Sequence, residues 1–198
     1  APPTATTFGH IEPIDALAIW VRRVAAVLPE LPARPLVIDL ANGASRVLVS
    51  WLRSVWPGEL HLIGTAGLPN DGVGSEHLGH LGQEVVRTGA WAGLAVDGDG
   101  DRCRLVDERG EPVPGDAVTW LLARALRVPG LAVTVMSNGA LEQQLPGVEV
   151  TRTPVGDKHL AIAMRASSLP LGAEESGHIL FADFPAGDGL VAGLRALA

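Results

Sequence analysis

Leu94-Ala95-Val96-Asp97-Gly98-Asp99-Gly100-Asp101-Arg102-Cys103-Arg104-Leu105-Val106 decides the reading of this chain. Apolar residues run up to Val96 and resume at Cys103, which predicts a strand on each side of a tight acidic loop. Three carboxylates alternate with two glycines, and an arginine follows at once. Neighbouring carboxylates raise the cost of ionising one another, so a cation is expected to offset them. Gly98 and Gly100 accept positive φ and let alternate side chains converge. Carboxylate oxygens are hard ligands, so Asp97, Asp99 and Asp101 are candidate ligands for Mg²⁺ or Ca²⁺.

The same aspartates also fit alternate ligand positions of an EF-hand loop, with Glu108 at its closing position. Arg102 stands where that loop needs glycine, and the flanks read as strands rather than helices. Mg²⁺ is the better match, because three monodentate carboxylates leave octahedral positions for a phosphate oxygen and water. Arg102 is placed to hold a phosphate or to orient the carboxylates. This combination suits phosphoryl transfer, where positioning and charge neutralisation supply most of the catalysis.

Outward from the loop, strands and helices alternate. Helices are predicted at Ile14 to Leu28, with Pro13 in the first turn, and at Ala44 to Val55, Glu76 to Arg87 and Asp116 to Arg127. Further helices are predicted near Asn138, at Asp157 to Ala166 and at Gly189 to Leu197. Strands are predicted at Leu36 to Leu40, Leu60 to Ile63, Trp91 to Val96 and Cys103 to Val106. In the second half they fall at Leu131 to Val135, Val148 to Thr151 and His178 to Phe181. Gly64 to Gly74 is a loop, rich in Gly, Pro, Asn and Asp. The pattern predicts an α/β protein of two consecutive small domains, residues 1–111 and 112–198, each a mixed sheet flanked by helices. No fixed-period repeat is evident.

Composition narrows the class. The 198 residues are 47% hydrophobic, enough for a sizeable core, and carry a formal charge of -7. That charge argues against a general binder of nucleic acid or anionic membranes. The single cysteine, Cys103, excludes an internal disulfide and fits a reducing compartment. The start, Ala1-Pro2-Pro3-Thr4, does not read as a signal peptide, and no apolar run is long enough to span a bilayer. A cytoplasmic location is expected. His10, His61, His77 and His80 show no metal spacing, although His77 and His80 fall on one helix face.

Two later segments carry chemistry. Thr153-Pro154-Val155-Gly156-Asp157-Lys158-His159 lies between a strand and a helix. Its backbone N–H groups can face an anion, with Lys158 adding charge; the plainer reading is an ordinary helix start capped by Asp157. Gly172-Ala173-Glu174-Glu175-Ser176-Gly177-His178 sets two acids, a hydroxyl and an imidazole close together. That inventory suits vicinal sugar hydroxyls, and His178 can act as an acid or base near neutral pH. The plainer reading is a polar turn before a strand. Glu175-Ser176-Gly177-His178 does not supply a serine-hydrolase elbow.

Together and in this order, the three segments resemble the α-D-phosphohexomutase superfamily. Val37-Ile38-Asp39-Leu40-Ala41-Asn42-Gly43-Ala44, Met136-Ser137-Asn138 and Gly187-Asp188-Gly189-Leu190-Val191-Ala192 add support. Within the superfamily the chain is most similar to the bacterial glucosamine-phosphate branch. The resemblance implies that Asp97, Asp99 and Asp101 bind Mg²⁺ and that Arg102 sits near the transferring phosphoryl group. It gives Lys158, Glu174, Ser176 and His178 to the phosphosugar, with Arg102 and His178 as the catalytic pair. The implied reaction interconverts hexose 6-phosphate and hexose 1-phosphate, through a phosphoserine on the enzyme.

The resemblance reaches from about Phe8 to Ala198 and matches the family's second and third domains. These residues contain nothing like the phosphoserine segment of the first domain or the Arg-rich phosphate loop of the last. The isolated chain is therefore expected to turn over little or nothing and to self-associate through surfaces that those domains normally meet. Leu68 to Ser75 is shorter than in the family, Ala173 replaces a usual glycine and His159 a usual aromatic. Glu175 matches the glucose-type branches, which makes the phosphoglucomutase and phosphomannomutase branches the alternative assignment. A non-catalytic sugar-phosphate or metal-binding module is the other alternative.

Overall fold

The alternating pattern folds into two mixed sheets flanked by helices. The computed structural model describes residues 12–184 and 186–198. The expectations for Ala1 to Thr4, Phe8 and His10 lie outside the described residues. The first half runs α1 (Ala16–Val27), β1 (Leu36–Asp39), a 3₁₀ turn (Ala44–Leu48), α2 (Val49–Val55) and β2 (Leu60–Ile63). It continues with α3 (Leu78–Thr88), β3 (Ala92–Val96), β4 (Cys103–Val106) and β5 (Pro112–Val113). The second half runs α4 (Gly115–Ala125), β6 (Gly130–Thr134), α5 (Ala140–Gln144) and β7 (Glu149–Thr153). It ends with α6 (Asp157–Ser167), β8 (Leu171–Ala173), β9 (Ile179–Phe181) and α7 (Gly189–Leu197).

The first sheet has the order β2-β1-β3-β4-β5 and the second β7-β6-β8-β9. In each sheet the first strand is parallel to both its neighbours, and an antiparallel hairpin follows. The two halves thus share one topology, a repeat of structure that no sequence period announces. The acidic loop joins β3 to β4, and the Glu174–His178 segment joins β8 to β9. Both candidate loops therefore occupy the equivalent hairpin of their sheets.

Alternation along the strands sorts the core. Leu36, Ile38, Leu94 and Val96 of the first sheet share one buried cluster with Leu131, Val133, Leu171 and Ile179 of the second. On the other faces, α3 covers Val37, Ala95 and Val106 with Leu81 and Val85, and α6 covers Ala132 with Leu160 and Met164. Each fully buried Leu or Ile contributes about 1.5–3 kcal/mol. The last helix, α7, crosses back from the second half to lie on β3 and β4 of the first. Gly193 permits this, since a Cβ there would strike the Leu94 side chain.

Several local expectations need correction. The carboxylate of Asp15 accepts the Ala18 N–H at 2.9 Å and caps α1, so Pro13 precedes the helix instead of opening it. The helix expected from Ala44 begins as a 3₁₀ turn. Gly156, at φ +122°, occupies the cap position of α6 with no side-chain cap, and Asp157 lies inside the first turn. His77 stands at the cap of α3 rather than on a face shared with His80, and both are exposed. Strands β5 and β8 were not anticipated. Strand β5 pairs with β4, so the first sheet reaches Val113.

Candidate functional site

Strand β3 is buried along its length and delivers Asp97, itself only 2% exposed, to the rim of the first sheet. The backbone then turns at Gly100, φ +84°, where a side chain would crowd the Ser45 hydroxyl. The turn brings one oxygen from each of Asp97, Asp99 and Asp101 within 4.8 Å of one another. Three hard oxygens at this spacing could hold a divalent cation such as Mg²⁺, and the strands on either side exclude an EF-hand.

Asp97 is the most tightly held of the three. Its Oδ1 accepts the backbone N–H groups of Gly100 and Arg102, each at 3.1 Å, and its Oδ2 accepts Arg102 Nε at 2.7 Å. Burial works to raise the Asp97 pKa, but the hydrogen bonds and charge of Arg102 outweigh it and hold the carboxyl below its ordinary value. Asp101 moves the other way: burial first, and then the Asp97 charge, push its pKa up. The guanidinium of Arg102 also donates from Nη1 to Glu76 at 2.7 Å. Glu76 is a member of the site that the sequence reading passed over, because only the tertiary fold brings the loop before α3 to Arg102.

The second sheet supplies the opposing wall. Residues Arg102 and His178 pair as an isolated antiparallel bridge, and the Cys103 N–H donates to the Gly177 carbonyl at 2.9 Å. The two hairpins are thus joined backbone to backbone. Gly177 is required there: it has φ +95°, and a Cβ would collide with the Cys103 carbonyl. His178 is buried, with Nδ1 3.5 Å from Asp101 Oδ2.

Glu174 Oε1 accepts the Gly156 N–H at 2.8 Å, and Ser176 donates its hydroxyl to Glu174 Oε2 at 3.3 Å. The Gly156 contact draws in the third segment, whose Lys158 is exposed in the first turn of α6. All three segments singled out in the sequence therefore meet along one rim. The rim carries the carboxylates of Asp97, Asp99 and Asp101, the cationic Arg102 and Lys158, and the polar side chains of Glu174, Ser176 and His178. Glu175 lies 4.0 Å from Arg104. Cys103, beneath the loop, is fully enclosed, and burial pushes its thiol up to about 12.

A groove of about 470 Å³ beside α6 and β9, lined by Met164, Leu169, Leu180 and Phe184, lies apart from this rim. Among the described residues no helix is long and apolar enough to cross a membrane.

Comparison with known proteins gives one answer at three levels. Residues 114–198 match the model of phosphoglucomutase/phosphomannomutase, alpha/beta/alpha domain III. The chain is 40% identical to the phosphoglucosamine mutase of Arthrobacter sp. (strain FB24), over 99% of its own length and 46% of that protein. It is 39% identical to the phosphoglucosamine mutase of Renibacterium salmoninarum, over 99% of itself and 47% of that protein. The chain thus spans about half the length of the relatives it matches. A phosphoglucomutase/phosphomannomutase family protein from Burkholderia thailandensis superposes with a TM-score of 0.83 at 26% identity, covering 92% of this chain and 43% of that one. The order of the loops, the paired hairpins and these likenesses agree, and the chain belongs to the α-D-phosphohexomutase superfamily.

Proposed function

We propose that this chain is the central part of a Mg²⁺-dependent phosphohexomutase that interconverts the 6- and 1-phosphates of a hexose, with glucosamine phosphate the favoured substrate. The observation that supports this reading most is the joining of the acidic hairpin to the Glu174–His178 hairpin through Arg102 and His178. A cation site and a hydroxyl-binding site on one rim are what a phosphosugar needs. Bound Mg²⁺ would supply charge neutralisation at the phosphoryl group.

The chain's own residues divide the remaining work. Asp97, Asp99 and Asp101 would hold the cation. Arg102, braced by Asp97 and Glu76, keeps its second terminal nitrogen for a phosphoryl oxygen. Lys158 and the N–H groups opening α6 would meet a phosphate. Glu174 and Ser176 accept and donate to sugar hydroxyls, and His178 moves a proton at the sugar oxygen.

The same reading divides the chain into two domains near Glu111-Pro112, a boundary that the pairing of β5 (Pro112–Val113) with β4 moves to just after Val113. It also places the protein in the cytoplasm, and it expects some self-association of these 198 residues alone. The identity of Glu175, which matches the glucose-type branches, favours a second reading, the glucose- and mannose-phosphate branches.

Calorimetric titration of the chain with Mg²⁺, followed by glucosamine 6-phosphate and glucose 6-phosphate in parallel, tests the proposal. Mg²⁺ binding that disappears in Asp99→Asn, with tighter binding of the amino sugar, is expected. Tighter binding of glucose 6-phosphate moves the assignment to the second branch. A chain that binds neither metal nor sugar phosphate refutes both.

A further inference from the structure

The segment Gly187-Asp188-Gly189 has no part in the chemistry above, yet it touches both hairpins. Gly187 lies against the imidazole of His178, where a Cβ would strike Nε2. Gly189 donates its N–H to the Gly100 carbonyl at 2.8 Å, and a Cβ there would strike the Arg102 carbonyl. Between them, Asp188 places its two oxygens on two different elements. Oδ1 accepts the Val191 N–H at 3.0 Å and caps α7, while Oδ2 accepts Trp20 Nε1 of α1 at 2.6 Å.

The acidic loop needs such a brace. Its three carboxylates repel one another, and its two glycines leave the backbone permissive. On the side facing α1 the loop borders an open groove of about 290 Å³, lined by Trp20, Ser45, Leu48, Asp99, Gly100 and Asp188. Among the described residues, packing on that side is therefore incomplete. The Ala44 N–H holds the Gly98 carbonyl at 2.8 Å, and the Gly189 N–H is the corresponding tie at Gly100. The direction of the Gly189 N–H is set by the cap at Asp188. A carboxylate is suited to this position because two acceptors are required at once, for Val191 and for Trp20.

We propose that Asp188 is a positioning residue for the acidic loop: anchored by Trp20 and by the start of α7, it holds the adjacent Gly189 N–H on the Gly100 carbonyl so that the three aspartates stay converged. The inference rests on the metal reading of Asp97, Asp99 and Asp101. It adds that metal affinity depends on a residue that does not ligate.

The test measures Mn²⁺ affinity of the 198-residue chain by electron paramagnetic resonance, well below the melting temperature of each variant. Asp188→Ala is expected to weaken Mn²⁺ binding by about 10–100-fold, the usual consequence of losing a group that orients metal ligands. Asp188→Asn, which keeps one acceptor for the α7 cap but loses the other for Trp20, is expected to recover only part of that loss. Val85→Ala, in the cluster under α3, destabilises the fold remote from the clip and is expected to bind Mn²⁺ as the unmodified chain does.

Unchanged affinity in Asp188→Ala overturns the clip. Equal losses in Asp188→Ala and Val85→Ala overturn it as well, since general destabilisation then accounts for both. If the unmodified chain does not bind Mn²⁺, the metal reading fails, and the clip is decided by amide exchange at Gly98 to Cys103. Faster exchange in Asp188→Ala sustains it; exchange as in the unmodified chain overturns it.

Discussion

Replacing Arg102 with alanine isolates the strongest electrostatic tie in the site. The change removes two hydrogen bonds of 2.7 Å, from Nε to Asp97 and from Nη1 to Glu76. The Glu76 side chain is 63% exposed, so its pair contributes only about 0–1 kcal/mol. The Asp97 bond is charge-assisted and worth about 1.5–3 kcal/mol. Removing one partner of a fully buried pair costs about 3–5 kcal/mol. Arg102 is one-third exposed and Asp97 keeps two backbone donors, which holds the loss below that range. Arg102→Ala should therefore destabilise the chain by about 2–3 kcal/mol at pH 7. For a protein of this length that lowers the melting temperature by about 4–12 °C.

The pH dependence is the discriminating part. Asp97 has a folded pKa below its ordinary 3.8, so its contribution is present above that value and lost as pH falls through the lower folded pKa. The gap between the two proteins, measured by urea denaturation, should be full at pH 7 and should narrow in strongly acidic buffer. A gap under about 0.5 kcal/mol at pH 7, the scatter of ordinary surface substitutions, would refute the account, as would a gap that ignores pH.

Three further outcomes are expected. Gly177→Ala forces a Cβ onto the Cys103 carbonyl at a left-handed backbone position, and should cost more than the about 1 kcal/mol typical of point changes; a thermal melt matching the unmodified protein argues against the pairing of the hairpins. Mn²⁺ affinity should decline on acidification from a higher pH than an ordinary aspartate would give, because the proposed site requires Asp101 ionised and its pKa is raised; titrations across the acidic range should show this, and Asp101→Asn should remove that step. Cys103, buried and with its thiol pushed up to about 12, should resist a thiol reagent at pH 8 until denaturant is added, and rapid labelling of the native chain would contradict its burial.

The elements with strong local signals were legible in the sequence. Strands β2 and β4 and helix α7 fall where periodicity puts them, and the acidic loop stands between strands as read. Strand β8 was invisible because Leu171-Gly172-Ala173 is short and lacks a β-branched residue. It is a strand because its neighbours pair with it, and Gly172 is tolerated because Met164 fills the space above. Pro13 and Asp157 were misplaced by a residue or two, since competing caps decide a helix start and Asp15 and Gly156 won. The residue types of the site were readable one loop at a time. Their meeting was not: the Arg102–His178 bridge, the Glu76 contact and the Asp188 clip all join residues far apart in the chain.

The return of α7 to the first sheet has a consequence for how the chain comes to be folded. A polypeptide emerging from its N-terminus completes β3, the acidic loop and β4 long before Gly189 to Leu197 exist. Until then the face of Leu94 and Val96 that meets α7 lacks that cover, and the Gly100 carbonyl lacks its donor. Local strand and helix formation can begin early, but the proposed cation-binding geometry waits for the nine residues of α7, Gly189–Leu197. On the proposed reading, a nascent chain that has not yet reached α7 carries its three aspartates without the Gly189 donor that gathers them.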